Sequence, residues 1–301
     1  MGPKGNRWCI VLAAGDGTRL RSLTTDRDGV TTPKQYCSLR GDGSLLHKAL
    51  ARARRIAAAP RVVTVVAAAH RRWWSAQLAG QPRANVIVQP ENRGTAPGLL
   101  LPLLEVLRRD PSARVVVLPS DHHVQDEAVL ERAVRRGLAA VQRRGAGIVL
   151  MGIAPDAAVS DYGWIVPGGE GSPAPVVSFV EKPAADEALR LMRRGGVWNS
   201  FIIAGRAREL LALFERRLRW LTLALQEMPA AGSPARERAL ACLYRAIEPA
   251  DVSRDVLQGS EDALSVLRVP PCGWTDLGTP ERVAACLERA VAPAAGAVSG
   301  R

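Results

Sequence analysis

The sequence predicts an α/β fold, a mostly parallel mixed sheet flanked by helices. Three observations carry that expectation. In the first half, short β-branched apolar runs alternate with stretches of helical period. The distinctive polar clusters, residues 15–19, 91–95 and 120–123, each follow one of those runs, where ligands sit in open parallel sheets. The apolar share is 47% over 301 residues, enough for a sizeable core. Yet no apolar run reaches the roughly 18–20 residues that span a bilayer.

Taken in order, residues 8–13 form an apolar run with Ile10 and Val11, the pattern of a buried strand. The run breaks into Ala14-Gly15-Asp16-Gly17-Thr18, a tight turn that leads to Arg19, and Pro33-Lys34-Gln35 follows at a short distance. Small residues at a strand's carboxyl end let backbone N–H groups approach phosphate oxygens, and Arg19 and Lys34 offer the cationic charge a triphosphate needs. Taken alone, the pattern also fits an ordinary strand-to-helix turn. It lacks the third glycine of a dinucleotide fingerprint, and no Gly-Lys-Ser/Thr follows.

Residues 45–58 read as a helix, 61–67 and 86–89 as strands, and 95–109 as a helix with Thr95 as its N-cap and Pro97 tolerated in its first turn. The run 114–118 is the most buried-looking strand and halts at Pro119; a helix at 127–144 and a strand at 147–152 complete the half. The second half is more mixed. Strands are expected at 162–166, 176–180, 197–204 and 264–269, with helices at 185–194, over most of 207–247 and at 280–291. Residues 292–301 are rich in Ala, Gly, Ser and Pro and read as a flexible tail.

Composition excludes several classes. Five scattered cysteines without C-x-x-C spacing argue against a disulfide scaffold or a zinc site. The N-terminus has no apolar core followed by a cleavage site, so a cytoplasmic protein is expected. The formal charge of +12 invites a nucleic-acid partner, but the arginines fall in pairs on helical stretches (52–55, 135–136, 143–144), as solvated faces do. Only four of the 41 basic residues are lysines, so a retained lysine marks a place that wants a compact charge.

The ordered set of motifs resembles the sugar-1-phosphate nucleotidyltransferases, and most closely the mannose-1-phosphate guanylyltransferases. The matching pieces are Leu12-Ala13-Ala14-Gly15-Asp16-Gly17-Thr18-Arg19-Leu20, Pro33-Lys34-Gln35, Gln89-Pro90-Glu91-Asn92-Arg93-Gly94-Thr95-Ala96-Pro97 and Leu118-Pro119-Ser120-Asp121-His122. They continue with Asp161-Tyr162-Gly163-Trp164-Ile165, Phe179-Val180-Glu181-Lys182-Pro183, Trp198-Asn199-Ser200 and Trp274-Thr275-Asp276-Leu277-Gly278. The resemblance implies a Rossmann-like sheet of the nucleotide-diphospho-sugar transferase type, in one domain over 1–291. Its nucleotide-binding half is about 1–152 and its sugar-binding half about 153–291.

The resemblance further implies a Mg²⁺-dependent transfer from a nucleoside triphosphate, GTP first, to a hexose-1-phosphate, mannose-1-phosphate first. Around the nucleotide it places Ala13, Ala14, Gly15, Gly17, Thr18, Glu91, Asn92, Gly94, Thr95 and Ser120. Around the sugar it places Gly163, Glu181, Lys182 and Asn199. Arg19, Lys34, Asp121, Lys182 and Asp276 fall at the reacting phosphates, with Asp121 and Asp276 as the metal ligands. His122 and His123 are read as packing or hydrogen-bonding residues, and Tyr162, Trp164, Trp198 and Trp274 as packing. No nucleic acid or membrane is expected as a partner, a homodimer is the assembly to test, and the length suggests a stand-alone transferase.

Three positions depart from the family pattern: Ala14 where a second glycine is common, Arg21-Ser22-Leu23-Thr24 in place of Trp-Pro-Leu-Ser, and Phe201 where a glycine is common. These keep two alternatives open. One is another base and sugar pair, such as dTTP or UTP with glucose-1-phosphate. The other is a catalytically silent regulatory protein that binds nucleotide sugars.

Overall fold

The computed structural model describes residues 5–39, 41–143, 147–229 and 232–291, with the side chains of 289–291 excepted; the predicted tail at 292–301 lies outside the described residues. The first half runs β1 (Arg7–Ala13), α1 (Arg21–Thr24), α2 (Leu45–Ile56), β2 (Val62–Ala67), α3 (Arg71–Gln77), β3 (Val86–Gln89), α4 (Thr95–Arg109), β4 (Arg114–Pro119), α5 (Glu127–Gln142) and β5 (Ile148–Ile153). The second runs β6 (Gly163–Pro167), β7 (Ala174–Glu181), α6 (Ala185–Arg193), β8 (Val197–Arg206), α7 (Ala207–Arg217), α8 (Arg219–Gln226), α9 (Pro234–Ala246), β9 (Leu264–Val269) and α10 (Pro280–Val291).

One sheet joins both halves, in the order β3-β2-β1-β4-β8-β5-β9-β7-β6, with β6 also pairing β8. The pairs among β1, β2, β3 and β4 are parallel, as is β5 with β9. β8 runs antiparallel to β4, β5 and β6, and β7 runs antiparallel to β6 and β9. The parallel arrangement is thus concentrated in the first half. The two sequence halves also interleave, because β8 lies between β4 and β5.

Period-2 alternation explains why the central strands read as continuous apolar runs: both faces are covered. Trp8 and Ile10 of β1 and Val115 and Val117 of β4 enter one core with Leu99, Leu103, Leu210, Phe214 and Tyr244 from α4, α7 and α9. Cys9 and Val11 of β1 and Val116 and Leu118 of β4 enter the opposite core with Leu46 and Leu50 of α2 and Leu130 and Val134 of α5. Each fully buried leucine contributes about 2 kcal/mol of apolar transfer energy. Among the described residues, no helix is long and apolar enough to cross a membrane.

Helix starts follow local chemistry where a short polar side chain precedes them. Ser44 caps α2 by accepting from the His47 N–H, and Asp126 caps α5 by accepting from the Val129 N–H. The expected cap at Thr95 is corrected. Gly94, at φ 87°, holds the cap position of α4, and Thr95 is the first helical residue. Arg52 is also corrected: it is buried rather than on a solvated face, with a bidentate pair to Glu127 at 2.7 and 2.9 Å.

Candidate active site

Two adjoining clefts open at the carboxyl ends of the parallel strands. The larger, about 340 Å³, is lined by Ala14, Gly15, Gly17, Asn92, Gly94, Thr95, Ser120 and Asp121, together with His122, Phe201 and Asp251. The smaller, about 170 Å³, shares Gly17 and Asp121 and adds Thr18, Arg19, Lys34 and Gly278. Most of the expected nucleotide residues therefore converge.

Gln35 shapes the glycine loop: its Nε2 donates to the carbonyls of Ala13 (3.1 Å) and Gly15 (2.8 Å), and the Tyr36 hydroxyl donates to Ala13 as well (3.0 Å). Ala13 is accordingly buried with its carbonyl engaged, so it supports the loop instead of lining the cleft. Gly17 sits at φ 62°, and a Cβ there would press on the Lys34 backbone nitrogen at 3.0 Å. At Gly15 a Cβ would meet nothing within 4 Å, so the space before the loop is open to a ligand. Asp16 ties this loop to the next one, accepting from Asn92 Nδ2 at 2.8 Å with His70 Nε2 at 3.3 Å.

The loop before α4 is held from far along the chain. A Cβ on Gly94 would collide with the Ala250 carbonyl, which also accepts from the Ala96 N–H at 2.9 Å. Thr95 Oγ1 donates to Asp251 (3.1 Å) and accepts from the Val252 N–H (2.8 Å). Residues 252–257 then form a π-helical turn, whose start Asp251 caps through the Ser253 and Arg254 N–H groups. Glu91 stands apart from the other loop residues. Its carboxylate turns to Arg93 at 2.9 Å and is absent from the lining of the larger cleft.

Lys34 is the hub of the smaller cleft. Its buried ammonium lies 2.9 Å from Asp121 Oδ2 and donates to the Asp276 carbonyl at 2.5 Å. Burial works to raise the Asp121 carboxyl, but the Lys34 charge overrides it, helped by His122, and holds the group at about 2. Burial likewise pushes the His122 imidazole down to about 4, leaving it neutral, with its ring edge-on to Trp274.

The Asp276 carboxylate is the most thoroughly positioned group here. Its Oδ1 accepts from the Tyr162 hydroxyl (2.5 Å), Arg282 (2.9 Å) and the Gly278 N–H (2.9 Å), while Arg19 stands 3.8 Å from Oδ2. Gly278 leaves room for Oδ2, which a Cβ would strike. Arg282, from α10, also bonds the Tyr162 hydroxyl and lies over its ring, 4.2 Å from the centroid. Tyr162 thus does more than pack against Trp198 and Trp274. Sequence reading gives neither Tyr162 nor Arg282 this role: Tyr162 lies 114 residues from Asp276 and 120 from Arg282, and the spacing of six between Asp276 and Arg282 belongs to no motif.

Three of the four expected sugar residues, Gly163, Glu181 and Asn199, also meet. A Cβ on Gly163 would run into Glu181 Oε2 and the Asn199 side chain, so the three are in contact. Asn199 Nδ2 donates to Ser253 Oγ at 3.2 Å, and the Glu181 N–H donates to Gln258 at 2.9 Å. Burial, then the nearby Asp251 carboxylate, pushes the Glu181 carboxyl up to about 7 against the pull of Lys182 and Arg254. Lys182 is exposed, its backbone at φ 48°. The left-handed non-glycine residues among those described, Lys182, Phe201 and Leu277, each stand one or two positions after Glu181, Asn199 or Asp276. Backbone strain gathers at this site.

For a cation, the described residues offer carboxylates rather than a cage: no group of three or more His, Cys, Asp or Glu side chains gathers among them. Asp121, held ionised, and the free side of Asp276 suit Mg²⁺, which takes one or two carboxylates and completes its shell with water and phosphate oxygens.

The chain is similar to known proteins over most of its length. The family model described as nucleotidyl transferase matches residues 8–289. The xanthan biosynthesis protein XanB of Xanthomonas campestris is 35% identical over 207 residues, 67% of this chain and 42% of that protein. A mannose-1-phosphate guanylyltransferase of Escherichia coli is 29% identical over 288 residues, 90% of this chain and 57% of that protein. The chain therefore spans about half the length of these relatives. A crystal structure described as mannose-1-phosphate geranyltransferase from Thermus thermophilus superposes with a TM-score of 0.78 at 27% identity, covering 91% of this chain and 76% of that one.

Proposed function

The chain belongs to the nucleotidyl transferase family, and from that premise we propose that it joins a nucleoside triphosphate to a hexose-1-phosphate, with GTP and mannose-1-phosphate as the first pair. A phosphate oxygen of the sugar phosphate attacks the α-phosphorus in line. The bond from the α-phosphorus to the bridging oxygen breaks, and pyrophosphate leaves with the electron pair. The nucleophile arrives ionised, so the protein's contribution is positioning and charge neutralisation.

The observation that best supports this reading is Lys34, whose ammonium joins Asp121 to the Asp276 segment, 242 residues away, beside the glycine loop. Asp121 and Asp276 would hold Mg²⁺, which when bound neutralises phosphate charge. Arg19 adds charge at the smaller cleft, Asn92 and the backbone about Gly94 face the base, and Glu181 and Asn199 take sugar hydroxyls. The similarity to the mannose-1-phosphate guanylyltransferase of E. coli supports GTP and mannose-1-phosphate as the first choice.

Pyrophosphate release with Mg²⁺, across the four common NTPs and a panel of hexose-1-phosphates, tests the proposal. Release restricted to GTP and mannose-1-phosphate is expected. Release with another pair keeps the reaction and moves the specificity. Nucleotide binding without any release replaces the reading with that of a silent binding protein.

Glu181 supplies a pH signature. Below pH 7 its carboxyl is largely protonated, so its capacity to accept from sugar hydroxyls grows as pH rises through about 7. The KM for the sugar phosphate is expected to fall by about tenfold from pH 6 to pH 8, following the ionised fraction. Glu181→Gln should flatten that profile. For stability the sign is opposite. A raised carboxyl favours the fold below its ordinary value of 4.5, and this contribution is lost as pH climbs through about 7. Melting curves of the two proteins between pH 4.5 and 8 should converge or cross accordingly.

A further inference from the structure

We propose that Phe201 sets the size limit of the acceptor subsite, admitting plain hexose-1-phosphates and excluding those with a bulky substituent such as an N-acetyl group. The inference deepens the nucleotidyl-transfer reading and rests on it.

The first observation is conformational. Phe201 lies in β8 with φ 58°, a left-handed backbone that bulky side chains avoid. It is held there. The β8–β5 register slips between Leu150 and Gly152, so that residues 200–202 bulge. The Phe201 N–H donates to Asn199 Oδ1 at 3.0 Å, while Ser200 Oγ donates to the Met151 carbonyl at 2.6 Å and accepts from the Ile202 N–H. A glycine would take this conformation without strain.

The second observation is where the side chain goes. Phe201 is half-buried against the first core, yet it also lines the larger cleft with Thr95, Asp121 and Asp251. A strained residue facing the reaction cleft points to a function for the side chain rather than for the backbone.

The third is its place along the cleft. Asn199, which fixes its N–H, touches Gly163 and with it Glu181. Asp251, a fellow lining residue, is close enough to act on Glu181 electrostatically. The ring therefore stands where the nucleotide cleft meets the acceptor cluster, and it removes volume there. An apolar ring offers no hydrogen bond to an amide substituent, so excluding an N-acetyl group would combine lost space with an unpaired polar group.

The test uses the full chain as wild type, Phe201→Gly and Phe201→Ala. The kcat/KM values for mannose-1-phosphate, glucose-1-phosphate and N-acetylglucosamine-1-phosphate are compared at one fixed NTP, and melting temperatures are recorded. In Phe201→Gly the ratio of N-acetylated to plain acceptor should rise at least about tenfold, mainly through KM, the range one steric contact supplies. Phe201→Ala should move the same way but melt below Phe201→Gly, because it keeps a Cβ at positive φ. An unchanged acceptor ratio in both variants overturns the proposal, as does a shift confined to NTP choice or an alanine variant that melts above the glycine one.

If wild type turns over no acceptor, the transfer reading falls, and calorimetric binding of the same three sugar phosphates decides the size limit by itself. A selective gain of N-acetylglucosamine-1-phosphate binding in Phe201→Gly upholds it. Equal binding of the panel by all three proteins, or binding of none, overturns it.

Discussion

Asp121→Asn and Asp276→Asn are each expected to lower turnover by about 10³-fold while the protein stays folded, the upper end of the scale seen when one aimed electrostatic group is removed from a transition state. Asparagine keeps the shape and an acceptor oxygen. At position 276 the bonds from Tyr162, Arg282 and the Gly278 N–H retain an acceptor, so the segment should hold its place. What disappears is one negative charge beside the smaller cleft. Pyrophosphate release together with melting temperature checks this. Near-wild-type rates from either well-folded variant would remove both carboxylates from the proposed metal site.

Lys34→Met has the second-largest expected effect, about 10²–10³-fold on turnover with a measurable loss of stability. It takes away both the partner of Asp121 and the donor to the Asp276 carbonyl. The stability cost should be roughly 1–2 kcal/mol, below that of breaking a fully buried pair, because the Asp121 side chain keeps 37% of its surface exposed. The pH dependence carries a sign. A depressed carboxyl stabilises the fold above its ordinary value of 3.8 and loses that contribution as pH falls through about 2. Without Lys34 the contribution is absent, so the deficit in urea should be full at pH 7 and shrink towards pH 2. A deficit that grows in acid would show that Lys34 acts through packing and not through Asp121.

Much of the fold was legible because its signals are local. Residues 8–13 and 114–118 alternate between two cores, so each reads as a continuous apolar run, and the strand follows from composition and length. The helices at Thr95–Arg109 and Pro280–Val291 and the strand at Leu264–Val269 have the expected bounds. Thr95 misled for a physical reason: a hydroxyl before an apolar run has the chemistry of a cap, but Asp251 and the Val252 N–H compete for it.

The sequence alone determined the elements, the loops at the ends of the parallel strands, and the chemical types gathered there: a glycine turn, scarce lysines and two aspartates within ordered motifs. Those depend on neighbours a few residues apart, where backbone sterics and hydrophobic period act. Only the tertiary structure decided the insertion of β8 between β4 and β5, the closure of Tyr162 on Asp276 and Arg282, the tie between residues 94–96 and 250–252, and the left-handed turn at Phe201. Each depends on groups brought together from far apart in the chain or on a bulge that pairing imposes, and neither leaves a period or a spacing to be read in advance.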